Sequence, residues 1–202
     1  MSILRKAKFI LGVHDLTGLP PEGLPEIVFS GRSNAGKSSA INQITDQNKL
    51  AFTSKTPGRT QQINYFEVSP YGFLVDLPGY GYAKVPIEMK NHWNHTLGQY
   101  MRQRQTLSGL ILIMDARHPL KELDYQLLDY WLPSSQPVHI LLSKSDKLSR
   151  QEGNKVLAAA KKALNSYPLQ CSVQLFSALK KQGIEEARNK IEEWLRVVRE
   201  GE

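Results

Sequence analysis

One cysteine, Cys171, occurs in the 202 residues, so no internal disulfide can form. Nothing in the cysteine usage points to an oxidising compartment. Long hydrophobic runs are missing as well: no stretch approaches the roughly 20 apolar residues of a membrane-crossing helix. The start, Met1-Ser2-Ile3-Leu4-Arg5-Lys6, is basic but lacks the apolar centre of a secretory signal. Repeats, low-complexity tracts and linker-like segments are absent too. The expectation is a cytoplasmic, membrane-free monomer with one sizeable core. Acidic residues are in short supply: 26 Lys and Arg stand against 19 Asp and Glu, a formal charge of +7. Such an excess serves either solubility or an anionic partner such as RNA, and composition does not separate the two.

What is present is an alternation of short apolar runs and longer helical patterns. Residues 1–24 close in the Pro/Gly-rich run Gly18-Leu19-Pro20-Pro21-Glu22-Gly23-Leu24, which cannot be regular helix. They read as an N-terminal extension packed on a domain spanning 25–202. Strands are expected at Ile27 to Phe29, Ile63 to Val68, Gly72 to Asp76, Gly109 to Met114, Val138 to Ser143 and Val173 to Phe176. The second and third form a hairpin around Ser69-Pro70-Tyr71. Helices are expected after Gly36, between Pro119 and Leu132, and from the capping box Ser149-Arg150-Gln151-Glu152 to about Asn165. A last helix carries the stripe Ile184, Ala187, Ile191, Trp194, Leu195 and Val198. Apolar strands alternating with helices imply a mainly parallel, six-stranded sheet in a three-layer α/β/α sandwich.

Gly31-Arg32-Ser33-Asn34-Ala35-Gly36-Lys37-Ser38 fits G-x-x-x-x-G-K-[ST], placed between a strand and a helix as that phosphate-binding motif requires. Its glycines let backbone N–H groups turn inward around phosphates, and the helix N-terminus adds positive potential. Lys37 would reach the β- and γ-phosphates, and the Ser38 hydroxyl would ligate Mg²⁺. Asp76-Leu77-Pro78-Gly79 follows a strand, where the carboxylate can hold Mg²⁺ through water and the Gly79 amide can meet the γ-phosphate. Ser143-Lys144-Ser145-Asp146 matches the guanine motif [TN]-K-x-D with Ser in the first place. Asp146 would accept hydrogen bonds from guanine N1–H and its 2-amino group, which adenine cannot offer, and the Lys144 stem can cover the base. Phe176-Ser177-Ala178 fits the short final guanine-contacting motif. Thr60 is the candidate mobile Mg²⁺ ligand, with Thr56 its rival. Ser39 and Gly58, Arg59, Gln61 and Gln62 complete the expected GTP-binding set, and Lys37, Thr60 and Gly79 the catalytic one.

With these motifs placed, the chain resembles the EngB (YihA/YsxC) family of bacterial ribosome-biogenesis GTP-binding proteins, within the TrmE-Era-EngA-EngB-septin-like GTPases. Four runs carry the resemblance: Gly31 to Ser39, Thr56-Pro57-Gly58-Arg59-Thr60-Gln61, Asp76-Leu77-Pro78-Gly79-Tyr80-Gly81-Tyr82-Ala83, and Ser143-Lys144-Ser145-Asp146-Lys147-Leu148. It extends from about Pro25 to Trp194. It implies a small Ras-like GTPase acting in large ribosomal subunit assembly and linked to cell division and septation.

Ras-type enzymes place a water-orienting Gln directly after the D-x-x-G glycine; here that residue is Tyr80. Slow intrinsic turnover is therefore expected, accelerated by a partner or a second cation. The resemblance extends to GTPases in which an Asn at the place of Asn34 coordinates K⁺; the alternative is that Asn34 only braces its loop. Lys84, Lys90, Arg102 and Arg104, interleaved with Tyr80, Tyr82, Trp93 and Tyr100, are candidates for rRNA contact. The other reading makes Trp93, Leu97 and Tyr100 the buried face of a helix. His92 and His95 lack the further ligands of a metal site. Two rival functions stay open: a non-catalytic GTP/GDP-gated binding module, and a P-loop kinase or ATPase, against which Asp146 counts.

Overall fold

The computed structural model describes residues 2–51, 62–81 and 87–197, and along 87–94 and at 197 the backbone alone. The strands are β1 (Lys8–Val13), β2 (Glu26–Gly31), β3 (Ile63–Val68), β4 (Gly72–Asp76), β5 (Leu107–Asp115), β6 (Val138–Ser143) and β7 (Cys171–Leu175). The helices are α1 (Lys37–Thr45), α2 (Ile87–Gln103), α3 (Glu122–Trp131), α4 (Arg150–Leu164) and α5 (Ile184–Val197). The sheet order is β1-β3-β4-β2-β5-β6-β7. β4, β2, β5, β6 and β7 are mutually parallel, while β1 and β4 run antiparallel to β3.

The sheet thus has seven strands where the sequence pattern predicts six. The additional strand, β1, lies inside the N-terminal segment. Its Lys8, Phe9 and Ile10 are solvent-exposed, so it shows no buried alternation, and a bulge at Ile10 interrupts its register with β3. An edge strand needs to bury little, which is why hydrophobic patterning passes over it.

Period-two alternation divides the central strands between two cores. Leu110, Leu112 and Met114 of β5, with Val138, Ile140 and Leu142 of β6, face one side, where Tyr100, Leu128 and Trp131 cover them. Ile111, Ile113 and Leu141 face the other, against Ile41, Ile44, Ile191 and Leu195. Helices on both faces make the three layers. Each fully buried aliphatic or aromatic chain contributes about 1.5–3 kcal/mol. α4 opens on the expected box: Glu152 N–H donates to Ser149 Oγ at 3.3 Å, and Ser149 N–H to Glu152 at 2.8 Å.

A charged group also lies within the core. Glu26, 0% exposed, accepts from Tyr65 (3.0 Å), Tyr100 (2.6 Å) and Thr106 (2.8 Å) hydroxyls and from Arg104 Nε (2.8 Å). A buried carboxylate persists only when paired and hydrogen-bonded in this way. Tyr100 is therefore core, as the buried-face reading expects. Arg104 needs correction: it serves Glu26 and is withdrawn from the set of rRNA-contact candidates, whereas Arg102 is exposed. Lys84 and Tyr82 lie outside the described residues, as do the side chains of Lys90, His92 and Trp93.

Candidate functional site

All the chemistry gathers at the carboxyl ends of the parallel strands, where an open α/β sheet places its ligand crevice. β2 ends at Gly31, and the loop Arg32 to Gly36 turns into α1. Gly36 stands at φ 97°, a left-handed conformation that a side chain resists, and its position caps α1 with no side chain between the loop and the helix N-terminus. Ala35 is buried, and its N–H donates to the Arg32 carbonyl at 3.0 Å. Asn34 is exposed at φ 63°, and among the described residues its amide side chain makes no hydrogen bond. Ser38 and Ser39 occupy the first turn of α1.

The segment after β4 is laced onto this loop. Leu77 N–H donates to the Phe29 carbonyl (3.0 Å), Tyr80 N–H to Gly31 (3.2 Å), and Ser33 N–H to the Tyr80 carbonyl (2.7 Å). Pro78 is buried, and Gly79 lies beside Ser33, where a Cβ would make an ordinary van der Waals contact at 3.5 Å from Ser33 Cα. Asp76 ends β4 only 6% exposed, in contact with the Lys37 ammonium. The Tyr80 side chain turns away from the loop, its hydroxyl donating to Asp124 Oδ1 in α3 at 2.6 Å. Burial, then the Asp124 charge, pushes this phenol far above its ordinary range.

On the other side, Ser143 closes β6 with its hydroxyl within hydrogen-bond reach of the Ala35 and Met114 carbonyls, tying this segment directly to the phosphate-type loop. Lys144, at φ 56°, reaches back with Nζ to the Asn34 carbonyl (2.7 Å) and to Asp115 (3.1 Å). Asp115 also receives a two-pronged contact from Arg117, Nε at 2.9 Å and Nη2 at 2.7 Å. Those Arg117 bonds, outweighing burial and helped by Lys144, hold the Asp115 carboxyl well below the usual carboxylate range. Asp115 and Arg117 are absent from the residues that sequence motifs single out. The only signal for them is an acidic residue ending a central strand.

Asp146 accepts from the Ser177 hydroxyl at 2.5 Å, and Ser145 Oγ lies 2.9 Å from the Phe176 carbonyl. Ala178 follows in the same loop. The structure thus brings together Gly31 to Ser39, Asp76 to Gly79, Ser143 to Asp146 and Phe176 to Ala178. Gln62 stands apart from these segments, its amide meeting the His14 ring at 2.8 Å beside the edge strand. Gly58, Arg59, Thr60 and Gln61 lie outside the described residues.

Among the described residues the Ser38 hydroxyl and the Asp76 carboxylate are placed beside the loop, a sparse, hard donor set that suits Mg²⁺ completed by water and phosphate. Among the described residues no cluster of three or more His, Cys, Asp or Glu side chains is arranged to hold a metal. No helix among them is long and apolar enough to cross a membrane.

Comparison with known proteins agrees with this geometry. The "50S ribosome-binding GTPase" family matches residues 26–144. The "Probable GTP-binding protein EngB" of Ralstonia pickettii (strain 12J) is 51% identical, the match covering 96% of this chain and 89% of that protein. The protein of the same name from Neisseria meningitidis serogroup B (strain ATCC BAA-335 / MC58) is 56% identical, over 96% of this chain and 94% of its own length. A crystal structure of a probable GTP-binding protein engB superposes with a TM-score of 0.68 over 85% of this chain and 98% of that one; at 21% identity it speaks for the fold alone. Because more than half the residues are shared along nearly the whole length of such relatives, the chain belongs to the EngB family of GTP-binding proteins, within the GTPases.

Proposed function

We propose that this protein is a slow, Mg²⁺-dependent GTPase, a cytoplasmic monomer that switches between GTP and GDP states during large ribosomal subunit assembly and is linked through it to cell division and septation. Residues 25–202 form its GTPase domain, with 1–24 as an extension that completes the sheet edge. One observation carries the reading: Lys144 spans from Asp115 to the Asn34 carbonyl, so the Asp146 segment and the 31–38 loop act as one cradle for base and phosphates.

In that cradle the N–H groups of Gly36 to Ser38 at the start of α1 and the Lys37 ammonium would receive the phosphate charge. Lys37 contacts Asp76 now, and phosphate oxygens offer it a second anionic partner. Ser38 and Thr60 would hold Mg²⁺ directly and Asp76 through water; the ion would supply charge neutralisation between the β- and γ-phosphates. Gly79, close against Ser33, would present its amide to the γ-phosphate. Asp146, braced by Ser177, would take the guanine N1–H and 2-amino donors. No glutamine follows Gly79, and the Tyr80 hydroxyl is engaged by Asp124, which supports slow turnover awaiting a partner or K⁺ near Asn34. The net charge of +7 and the exposed Arg102 support an rRNA partner.

The test combines two measurements. Pelleting with purified ribosomal subunits, in GDP and in a non-hydrolysable GTP analogue, should show large-subunit binding favoured by the analogue. Multiple-turnover phosphate release should be slow, faster in KCl than in NaCl at equal ionic strength, and insensitive to the salt in Asn34→Ala. Equal wild-type rates in the two salts would remove K⁺. Absence of any turnover, with K⁺ and subunits present, would leave a nucleotide-gated binding module.

A further inference from the structure

The loop after β7 that carries Ser177 is closed on itself. Ser177 N–H donates to the Gln182 carbonyl (3.1 Å) and Gln182 N–H to the Ser177 carbonyl (3.0 Å). Beside the Ser177–Asp146 bond, two side-chain ties hold it, one to the turn after β6 and one to the sheet. The first is Ser145, whose hydroxyl lies 3.1 Å from Gln182 Oε1. The second comes from deeper in the strands. Gln174 of β7, 3% exposed, donates through Nε2 to the carbonyl of Gly183, at 2.7 Å, where the loop ends and α5 begins. With Nε2 facing this carbonyl, and that of Leu175 at 3.3 Å, the amide oxygen is left for His139 of β6, whose Nε2 lies 2.7 Å away. His139 is 2% exposed and its Nδ1 lies 2.7 Å from the Ser172 hydroxyl. A neutral imidazole satisfies both contacts, donating from Nε2 and accepting at Nδ1. Burial favours that neutral form.

Pairing of β6 with β7 does not require these polar chains. The ladder runs without interruption from Val138↔Cys171 to Leu142↔Leu175, and an apolar pair would fill the same space without demanding partners. What the polar pair adds is direction, because it reaches beyond the strand to the loop's exit. We propose that His139 and Gln174 are positioning residues for guanine recognition, holding the 177–183 loop so that the Ser177 hydroxyl aims the Asp146 carboxylate at the base. The inference deepens the guanine assignment of Asp146 and rests on it. If the Gly183 tie is lost, the loop's exit keeps only the Ser145 contact and the packing of α5, and Ser177 is held less firmly above Asp146. A tilted carboxylate loses more toward guanine, which offers two donors, than toward hypoxanthine, which offers one.

The test is equilibrium binding of GDP and IDP, with Mg²⁺, to the full chain and to Gln174→Glu, Gln174→Leu, His139→Phe and Asp146→Asn. Gln174→Glu keeps the size and the acceptor for His139 but cannot donate to Gly183. Gln174→Leu places an apolar chain of similar size there and serves if the glutamate variant does not fold. Each Gln174 variant should weaken GDP about tenfold and IDP less, so that the GDP-over-IDP preference shrinks. His139→Phe should shift the preference in the same direction by a smaller factor. A preference unchanged in folded Gln174 variants, whether both affinities hold or fall in parallel, would overturn the proposal. Asp146→Asn separates the two layers, since it should weaken GDP and admit xanthosine diphosphate. If it does so while the Gln174 variants keep the wild-type preference, only the brace is wrong. If it does not, the guanine assignment itself fails.

Discussion

At the scale of single residues, Tyr80 shows how a substitution within a familiar motif is absorbed by the surrounding structure. Its hydroxyl donates to Asp124, which also accepts from the Lys121 N–H at 2.8 Å to cap α3. Tyr80→Phe should lower unfolding free energy by about 1–2 kcal/mol, because the buried Asp124 carboxylate loses one donor. Single-turnover hydrolysis should stay within about twofold, the hydroxyl being turned away from the cradle. Urea unfolding and quenched-flow phosphate release check both parts, and a large drop in turnover would mean the phenol takes part in chemistry. Lys37, Asp76 and Asp146 are legible in the sequence because their motifs have fixed spacing and fixed neighbours. Asp115 and Arg117 are not, because their value depends on Lys144, which reaches Asp115 only when β5 and β6 lie side by side.

At the scale of elements, α5 and β5 make a contact that depends on a missing side chain. A Cβ on Gly109 would fall 2.2 Å from the Trp194 ring, a rigid neighbour that is itself only 8% exposed. Gly109→Ala should therefore destabilise the fold by about 1–3 kcal/mol through overpacking. Because Gly109 lies toward the opposite end of β5 from Asp115, GDP affinity measured on the folded variant should stay within about twofold. The apolar stripe of α5 identifies the helix from sequence; the small residue it lies on cannot be named without the packing. β6 and β7 make a second prediction at this scale. Burial lowers the His139 pKa, offset in part by Gln174 and by Glu186 and Glu193 facing it, with Lys190 acting in the opposite direction to those two. The unfolded chain then binds the proton more readily, so the His139 contribution is complete above the unfolded value of 6.5 and is lost as pH falls toward the folded value. Unfolding midpoints between about pH 7.5 and 5.5 should fall more steeply for wild type than for His139→Gln. Parallel profiles would show that the imidazole binds its proton equally in the folded and unfolded states.

At the scale of the whole molecule, the cradle is assembled from four separate stretches of chain, so its occupation should be felt as global stability. GDP with Mg²⁺ at a hundred times Kd should raise unfolding free energy by about 2.7 kcal/mol. Chelation of Mg²⁺ should remove part of that gain. A midpoint unaffected by chelator, with GDP still bound, would contradict the assignment of Ser38 and Asp76 to the metal.

The sequence alone determined the α/β/α class, the order of elements from β2 to α5 apart from α2, and the four motif segments that meet at the crevice. It could do so because phosphate and guanine recognition need particular residue types at fixed spacing, and because buried strands and amphipathic helices repeat with different periods. Only the tertiary structure decided that β1 joins the sheet edge, that Arg104 serves Glu26, and that Gln62 turns to His14. The same holds for the ties from Lys144 to Asn34 and from Gln174 to Gly183. These depend on residues far apart in the chain becoming neighbours, and local pattern carries no record of which polar side chains burial will force to find each other.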